Sequence, residues 1–369
     1  MTSVAAGVAV ERVDVSAYTI PAEEPESDGT FEWDSTTVVV VEVAAGGETG
    51  LGYTYGPRAV AVLVDELLAP LLTGSDPVIF TGSDPVKAWV EMGRRLRNAG
   101  RPGIGAMAMA AVDIALWDLR ARLEGLSLVK ALEARHDVVP LYGSGGFTSY
   151  PNDRLAEQLG GWVDEGFPQV KMKIGREPER DPSRLDAARE AIGEAELFVD
   201  ANGAYGRSQA LEWADRLAAW DVRWLEEPVT SDDPDGLRTV RERTTIDVAA
   251  GEYVYVLADA RNLLQARAVD CLQADVTRCG GITGFLEVAA LAHEHGLDVS
   301  AHCAPQTSAH ACAAIPNLRH LEWFHDHVRV ERMLFDGVLE PAHGVLRPDR
   351  TRPGHGLELK RVEAQRHAA

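Results

Sequence analysis

The sequence predicts an α/β chain in which a βα barrel is covered by a smaller α+β domain. Three observations carry this expectation. From about residue 138, short apolar runs (VVPLY, PQVKMKIG, ELFVDANG, VRWLEEP, IDVAAGE, CLQADVT, LDVSAH and RHLEWF) alternate with polar, helix-like stretches, the pattern of eight strands in βα units. Most of these runs finish on an ionisable residue: Lys173, Asp200, Glu226, Glu252, Asp275, His302 and Glu322, roughly one βα unit apart. The residues before 138 lack that rhythm and show strands first, helices afterwards.

Residues 1–55 read as β-rich, through VAVERVDVSAYTI and TTVVVVEVAAGGETGLGYTY, with the acidic PAEEPESDGTFEWDS stretch between them expected as a mobile loop. Apolar periodicity predicts helices over roughly 59–73, 85–99 and 105–124. These divisions give a capping part over 1–135 and a barrel over 136–329. Residues 330–369 are too irregular for another barrel unit and are expected to return to the cap.

Composition narrows the function. Of 369 residues, 46% are hydrophobic and 25% charged, as in soluble globular proteins. A net charge of −21 argues against nucleic acid as a partner, because phosphate contacts demand clustered Lys and Arg. Cys271, Cys279, Cys303 and Cys312 form no CxxC pair, which suggests neither a disulfide framework nor a zinc site. There is no basic leader and no apolar run of membrane-spanning length, so a cytoplasmic protein without a membrane partner is expected.

All strand ends of a βα barrel open onto one mouth, so the seven terminal residues should form a ring. Asp200, Glu226 and Glu252 end three successive strands; any one could cap the next helix, but three together repel unless a cation holds them. Oxygen-only ligands favour Mg²⁺ over zinc. Lys171 and Lys173, two residues apart on one strand, share a face, and a cation nearby would lower a lysine pKa enough for it to take a proton. Asp275 and His302 suit a carboxylate–imidazole pair that acts as a second base. Glu322, if protonated, could donate to developing negative charge.

Together, Lys171-Met172-Lys173, Asp200-Ala201-Asn202, Glu226-Glu227-Pro228, Gly251-Glu252, Asp275-Val276-Thr277 with Gly280-Gly281, Ser300-Ala301-His302 and Leu321-Glu322-Trp323 resemble the enolase superfamily, within it the mandelate racemase subgroup. The resemblance spans nearly the whole chain. It implies a modified TIM barrel, (β/α)7β, under an α+β capping domain built from the N-terminal region and the C-terminal tail. It also implies Mg²⁺ on Asp200, Glu226 and Glu252, Lys173 as one base, Lys171 beside the substrate carboxylate, the Asp275–His302 dyad opposite, and Glu322 facing the enolate. The activity it suggests is abstraction of the proton α to a carboxylate with stabilisation of an enediolate. Dehydration of a sugar acid (aldonate or aldarate) leads, a racemase or epimerase follows, and a catalytically silent binding protein stands as the alternative of another class. A homo-oligomer is also implied.

Other signals are weaker. Gly103 to Ala108 fits GxGxxA but follows no strand. Cys303 beside His302 is expected to point away from it, since neighbouring strand residues face opposite ways. His325 and His327 are placed near the site rim, and His293 and His295 at a helix end. Residues 18–32 and 50–56 are expected over the barrel mouth; Glu23, Glu24, Glu26 and Asp28 would favour polyhydroxylated substrates. Asn202, Tyr55, Ser144 and Arg278 complete the candidate substrate contacts.

Overall fold

The computed structural model describes residues 8–73 and 84–369. Strands β1 (Arg12–Ser27), β2 (Glu32–Ala45) and β3 (Glu48–Tyr55) form an antiparallel sheet. The valine run Val38–Val41 and Val43 is buried on both faces, between the cap helices on one side and the C-terminal segment on the other. Strand β1 pairs with β2 almost throughout, with one register break between Pro21 and Glu26.

The acidic stretch expected as a mobile loop is therefore the far end of a long hairpin. Its polar residues find partners that composition cannot reveal. Glu26 is buried and accepts a hydrogen bond from Trp33 Nε1 at 2.8 Å, while Ser27 Oγ meets Thr148 Oγ1 of the barrel at 2.6 Å. Asp28 closes the turn by accepting from the Thr30 and Phe31 N–H groups at 2.6 and 2.7 Å. A Cβ on Gly29 would lie 2.3 Å from the Ala201 carbonyl oxygen, so the hairpin tip presses on the end of a barrel strand and only glycine fits.

Residues 59–73 are helical, with one wider π-turn over Val64–Leu68, and helices Pro85–Arg95 and Ile104–Leu123 follow. Ile104–Leu123 is Ala-rich and buried along most of its length because it packs on both the cap sheet and helix Gly281–Glu294 of the barrel. Close approach needs small residues: a Cβ on Gly50 or Gly52 would strike its backbone.

Strands β4 (Val139–Gly145), β5 (Gln169–Lys173), β6 (Glu196–Asp200), β7 (Val222–Glu226), β8 (Asp247–Ala250), β9 (Cys271–Ala274), β10 (Asp298–Ala301) and β11 (Leu318–Phe324) run parallel, and β11 pairs with β4 to close the barrel. Seven helices connect them, the (β/α)7β arrangement. Alternation along the strands builds the interior in layers. Tyr142, Phe198, Trp224 and His320 pack as an aromatic floor. Two residues further along those strands stand Ser144, Asp200, Glu226 and Glu322, so the polar layer rests on a dry base.

The C-terminal segment touches both parts. Val345–Leu346 adds antiparallel to the start of β4, and Phe335, Leu357 and Ala364 pack against Tyr18, Ile20 and Tyr53 of the cap sheet. One buried carboxylate ties three remote stretches: Asp118 accepts from Leu51 N–H at 2.9 Å, Arg122 Nε at 2.8 Å and His355 N–H at 2.8 Å. Gly354 lies beside it at φ +67°, where a Cβ would sit 2.0 Å from Asp118 Oδ1. Among the described residues, no helix is long and apolar enough to cross a membrane.

Candidate active site at the barrel mouth

The seven expected residues converge. Asp200, Glu226 and Glu252 each offer a carboxylate oxygen within 4.8 Å of the others, and all three side chains are buried. Their hard oxygen donors suit a divalent cation such as Mg²⁺. Asp200 is held by the N–H of Asn202 at 2.8 Å, and Glu226 by Trp224 Nε1 at 2.9 Å. Next to them, Glu227 Oε1 and Asn202 Oδ1 are buried oxygens without a hydrogen-bond partner among the described residues, and Glu227 lies within the field of Glu252, Asp200 and Glu226.

Lys171 Nζ lies 2.7 and 2.8 Å from the Glu226 oxygens and 2.8 Å from Glu322 Oε1. Lys173 Nζ lies 2.6 Å from Asp200 Oδ2. Burial alone would pull both lysines down, but the surrounding carboxylates outweigh it and hold them above the usual lysine range. The depressed lysine expected from sequence depends on a bound cation, which would draw these carboxylates away from the lysines.

Across the ring, His302 Nδ1 and Asp275 Oδ2 are 2.7 Å apart, and Asp275 Oδ1 accepts from the Thr277 N–H and hydroxyl, each at 2.7 Å. The other ring nitrogen, Nε2, faces Glu252 Oε2 at 3.1 Å. Burial disfavours the imidazolium, but Glu252, Glu322 and Asp275 raise its pKa well above the ordinary histidine value.

Burial would favour the neutral acid of Glu322, yet Lys171 and His302 hold its pKa below the usual carboxylate range. Its oxygens accept from Ser144 Oγ at 2.6 Å and from the Cys303 N–H at 3.2 Å. Ser144, expected as a substrate contact, is fully buried beneath the mouth and donates to Glu322 Oε1 at 2.6 Å, which orients that carboxylate.

A cavity of about 580 Å³ lies between this ring and the cap, lined by Lys173, Glu252, His302, Asn202 and Arg278 on the barrel side. The hairpin supplies Asp28, Thr30, Phe31 and Trp33 to its wall, and Tyr253, Phe324, Asp326 and His327 complete it. Tyr55 also lines it, stacked on His327 with ring centroids 3.4 Å apart. Burial drops the His327 pKa to about 3, so that ring is neutral. Arg278 is engaged by Glu252, with Nη1 at 3.1 Å from its carbonyl, and by Asp275 Oδ2 at 3.6 Å.

Cys303 was expected to face away from His302. Instead Cys303 and Ala304 take φ of +49° and +44°, which turns the thiol inward to 3.3 Å from His302 Nε2. The strand ends at Ala301, so alternation no longer applies there. Sequence reasoning also gave no role to Trp33, Tyr253, Asp326 and Glu227, whose Oε1 is unpartnered among the described residues. The EEP motif marks Glu227, whereas nothing in the local pattern distinguishes the others.

The family described as "Enolase C-terminal domain-like" matches residues 154–363, and the "Mandelate racemase / muconate lactonizing enzyme, N-terminal domain" family matches residues 18–132. This chain belongs to the enolase superfamily. Within the superfamily, it is 34% identical to a 3,6-anhydro-alpha-L-galactonate cycloisomerase of Streptomyces coelicolor, over 95% of this chain and 97% of that protein. A mandelate racemase/muconate lactonizing enzyme-like protein from Rubrobacter xylanophilus superposes with a TM-score of 0.94 at 58% identity, covering 98% of this chain and 100% of that one. The L-talarate/galactarate dehydratase of Salmonella typhimurium, solved with Mg and L-lyxarohydroxamate, superposes at 0.91 with 29% identity, covering 100% of this chain and 95% of that one. The mandelate racemase-like assignment and the barrel-plus-cap architecture stand on these matches.

Proposed function

We propose that this enolase-superfamily enzyme is a Mg²⁺-dependent dehydratase that removes water from a sugar acid by abstracting the proton α to its carboxylate. The observation that carries the reading is that Lys173 and His302, on strands separated by β4 and β11 on one side and β6–β9 on the other, open onto one cavity with Glu252 and Asn202. Asp200, Glu226 and Glu252 would hold Mg²⁺, whose bound charge stabilises negative charge building on the substrate carboxylate and draws these carboxylates away from the lysines.

The chain's own groups account for the proton movements. Lys171 places a fixed positive charge beside the carboxylate subsite. Lys173 or His302 accepts the α-proton, depending on the face from which it leaves. The opposite group, in its protonated form, donates to the departing 3-hydroxyl, which leaves as water while the C2–H electron pair becomes the new C2–C3 double bond. Tautomerisation of that enol yields a 2-keto-3-deoxy acid. Bases on both faces also favour a racemase or epimerase, in which the opposite group reprotonates the same carbon.

The cap half of the cavity supports a monocarboxylic substrate, an aldonate rather than an aldarate. Asp28 and Asp326 line it, Arg329 reaches Asp326 from outside the lining, and Arg278, the one lining guanidinium among the described residues, is held by Glu252 and Asp275. A second substrate carboxylate there would meet like charge without a cation. Incubation with Mg²⁺ and paired aldonates and aldarates in D₂O tests this. Keto-acid formation from aldonates alone is expected. Exchange with inversion would select the racemase, turnover of aldarates would overturn the monoacid assignment, and inactivity throughout would favour a binding protein.

A further inference from the structure

The inward turn of Cys303 creates a donor set that the proposed proton transfers do not use. Cys303 Sγ lies 3.3 Å from His302 Nε2 and 3.4 Å from Glu322 Oε2, and those two atoms are 3.6 Å apart. A tetrahedral zinc ion, with bonds of about 2.3 Å to sulfur and about 2.0–2.2 Å to nitrogen and oxygen, spaces its ligand atoms by about 3.3–3.6 Å. The triangle already has that size.

The supporting contacts suit a metal as well. Asp275 holds His302 Nδ1 at 2.7 Å, leaving Nε2 directed at the triangle, the orientation a carboxylate gives a metal-bound imidazole. Glu322 is anchored through Oε1 by Ser144 and Lys171, and Oε2, which accepts the Cys303 N–H at 3.2 Å, is the oxygen that faces the triangle. His302, Cys303 and Glu322 are buried, and His302 and Cys303 line the cavity, which leaves an entry path and an open fourth position. This soft triangle shares no residue with the three hard carboxylates, although His302 Nε2 also lies 3.1 Å from Glu252 Oε2: a thiolate and an imidazole select zinc-like cations, whereas oxygen alone selects magnesium.

We infer that His302, Cys303 and Glu322 form a second cation site, specific for thiophilic divalent ions such as Zn²⁺, Cd²⁺ or Co²⁺, and that its occupation inhibits the enzyme. Binding displaces the Cys303 thiol proton and the His302 Nε2 proton to solvent and forms a sulfur–metal and a nitrogen–metal bond. The ion then occupies the lone pair freed on His302 Nε2 and closes the cavity on that side. Mg²⁺ does not compete, because it disfavours sulfur.

Cobalt reports the site without turnover, so the result stands whether or not the dehydratase reading holds. The full chain, saturated with Mg²⁺, is titrated with Co²⁺. A thiolate-to-cobalt charge-transfer band in the near ultraviolet is expected in the wild type, retained in Cys279→Ser and lost in Cys303→Ser. Absence of the band in the wild type, or its survival in Cys303→Ser, overturns the proposal. The wild-type titration decides the matter even if a variant folds poorly. On an active preparation, Zn²⁺ at saturating Mg²⁺ should inhibit, and Cys303→Ser should raise its apparent inhibition constant by at least about 10–100-fold, the span seen when a residue merely supporting a ligand is lost. Equal inhibition of both proteins would refute it.

Discussion

Asp275→Asn tests whether the His302 side of the site moves a proton. Asp275 Oδ2 faces His302 Nδ1 at 2.7 Å, while Oδ1 takes the Thr277 N–H and hydroxyl. An asparagine that keeps its oxygen on Thr277 presents an amide N–H to the ring. Nδ1 must then accept, and the ring proton moves to Nε2, the atom facing the cavity. Flipping the amide restores the tautomer but sets its NH₂ against the Thr277 N–H, a buried mismatch of about 1–3 kcal/mol. The lost charge also weakens any imidazolium formed during the reaction. The expected fall in kcat is about 10²–10⁴-fold with KM nearly unchanged, the worth of a positioned acid–base group. Keto-acid formation and α-proton exchange in D₂O measure it, and exchange by the Lys173 face should survive. A loss below about tenfold, or one carried by KM, would refute the dyad.

Two further outcomes follow from buried carboxyl groups. Ser144→Ala removes a 2.6 Å hydrogen bond to Glu322 and should lower kcat by up to about 10–150-fold, scaled from roughly 1.5–3 kcal/mol for a bond to a charged acceptor; an unchanged kcat would show that the hydroxyl does not position that carboxylate. Glu331, joined to Tyr53 Oη at 2.5 Å between cap and barrel, has its pKa raised by burial to about 8 from an ordinary 4.5. The folded chain thus binds the extra proton, and this group's contribution to stability falls as pH rises from 4.5 to about 8. Glu331→Gln should match the wild type near the acid end of that window and melt at higher temperature above it; parallel melting curves at every pH would contradict the shift.

The barrel was legible because a strand period and a recurring polar terminus survive in the linear text. The ring of Lys173, Asp200, Glu226, Glu252, Asp275, His302 and Glu322 follows once all strand ends share one mouth. What escaped depends on partners remote in sequence. Glu26 reads as part of a mobile loop until Trp33 is seen bonding it, Glu322 is neutral or charged according to Lys171, and Ser144 faces Glu322 only because β11 closes on β4. Cys303 escaped for a local reason: two left-handed residues at the end of β10 break the alternation from which its direction was read.

The single carboxylate of Asp118 also has a consequence for biosynthesis. Positions 51, 118 and 122 leave the ribosome long before position 355 is made, yet all of them meet at that side chain. The lid is therefore written first and latched last. Asp118 completes its set of partners only once His355, 237 residues downstream, has been made, so closure at this carboxylate comes late although the stretches it joins are made early.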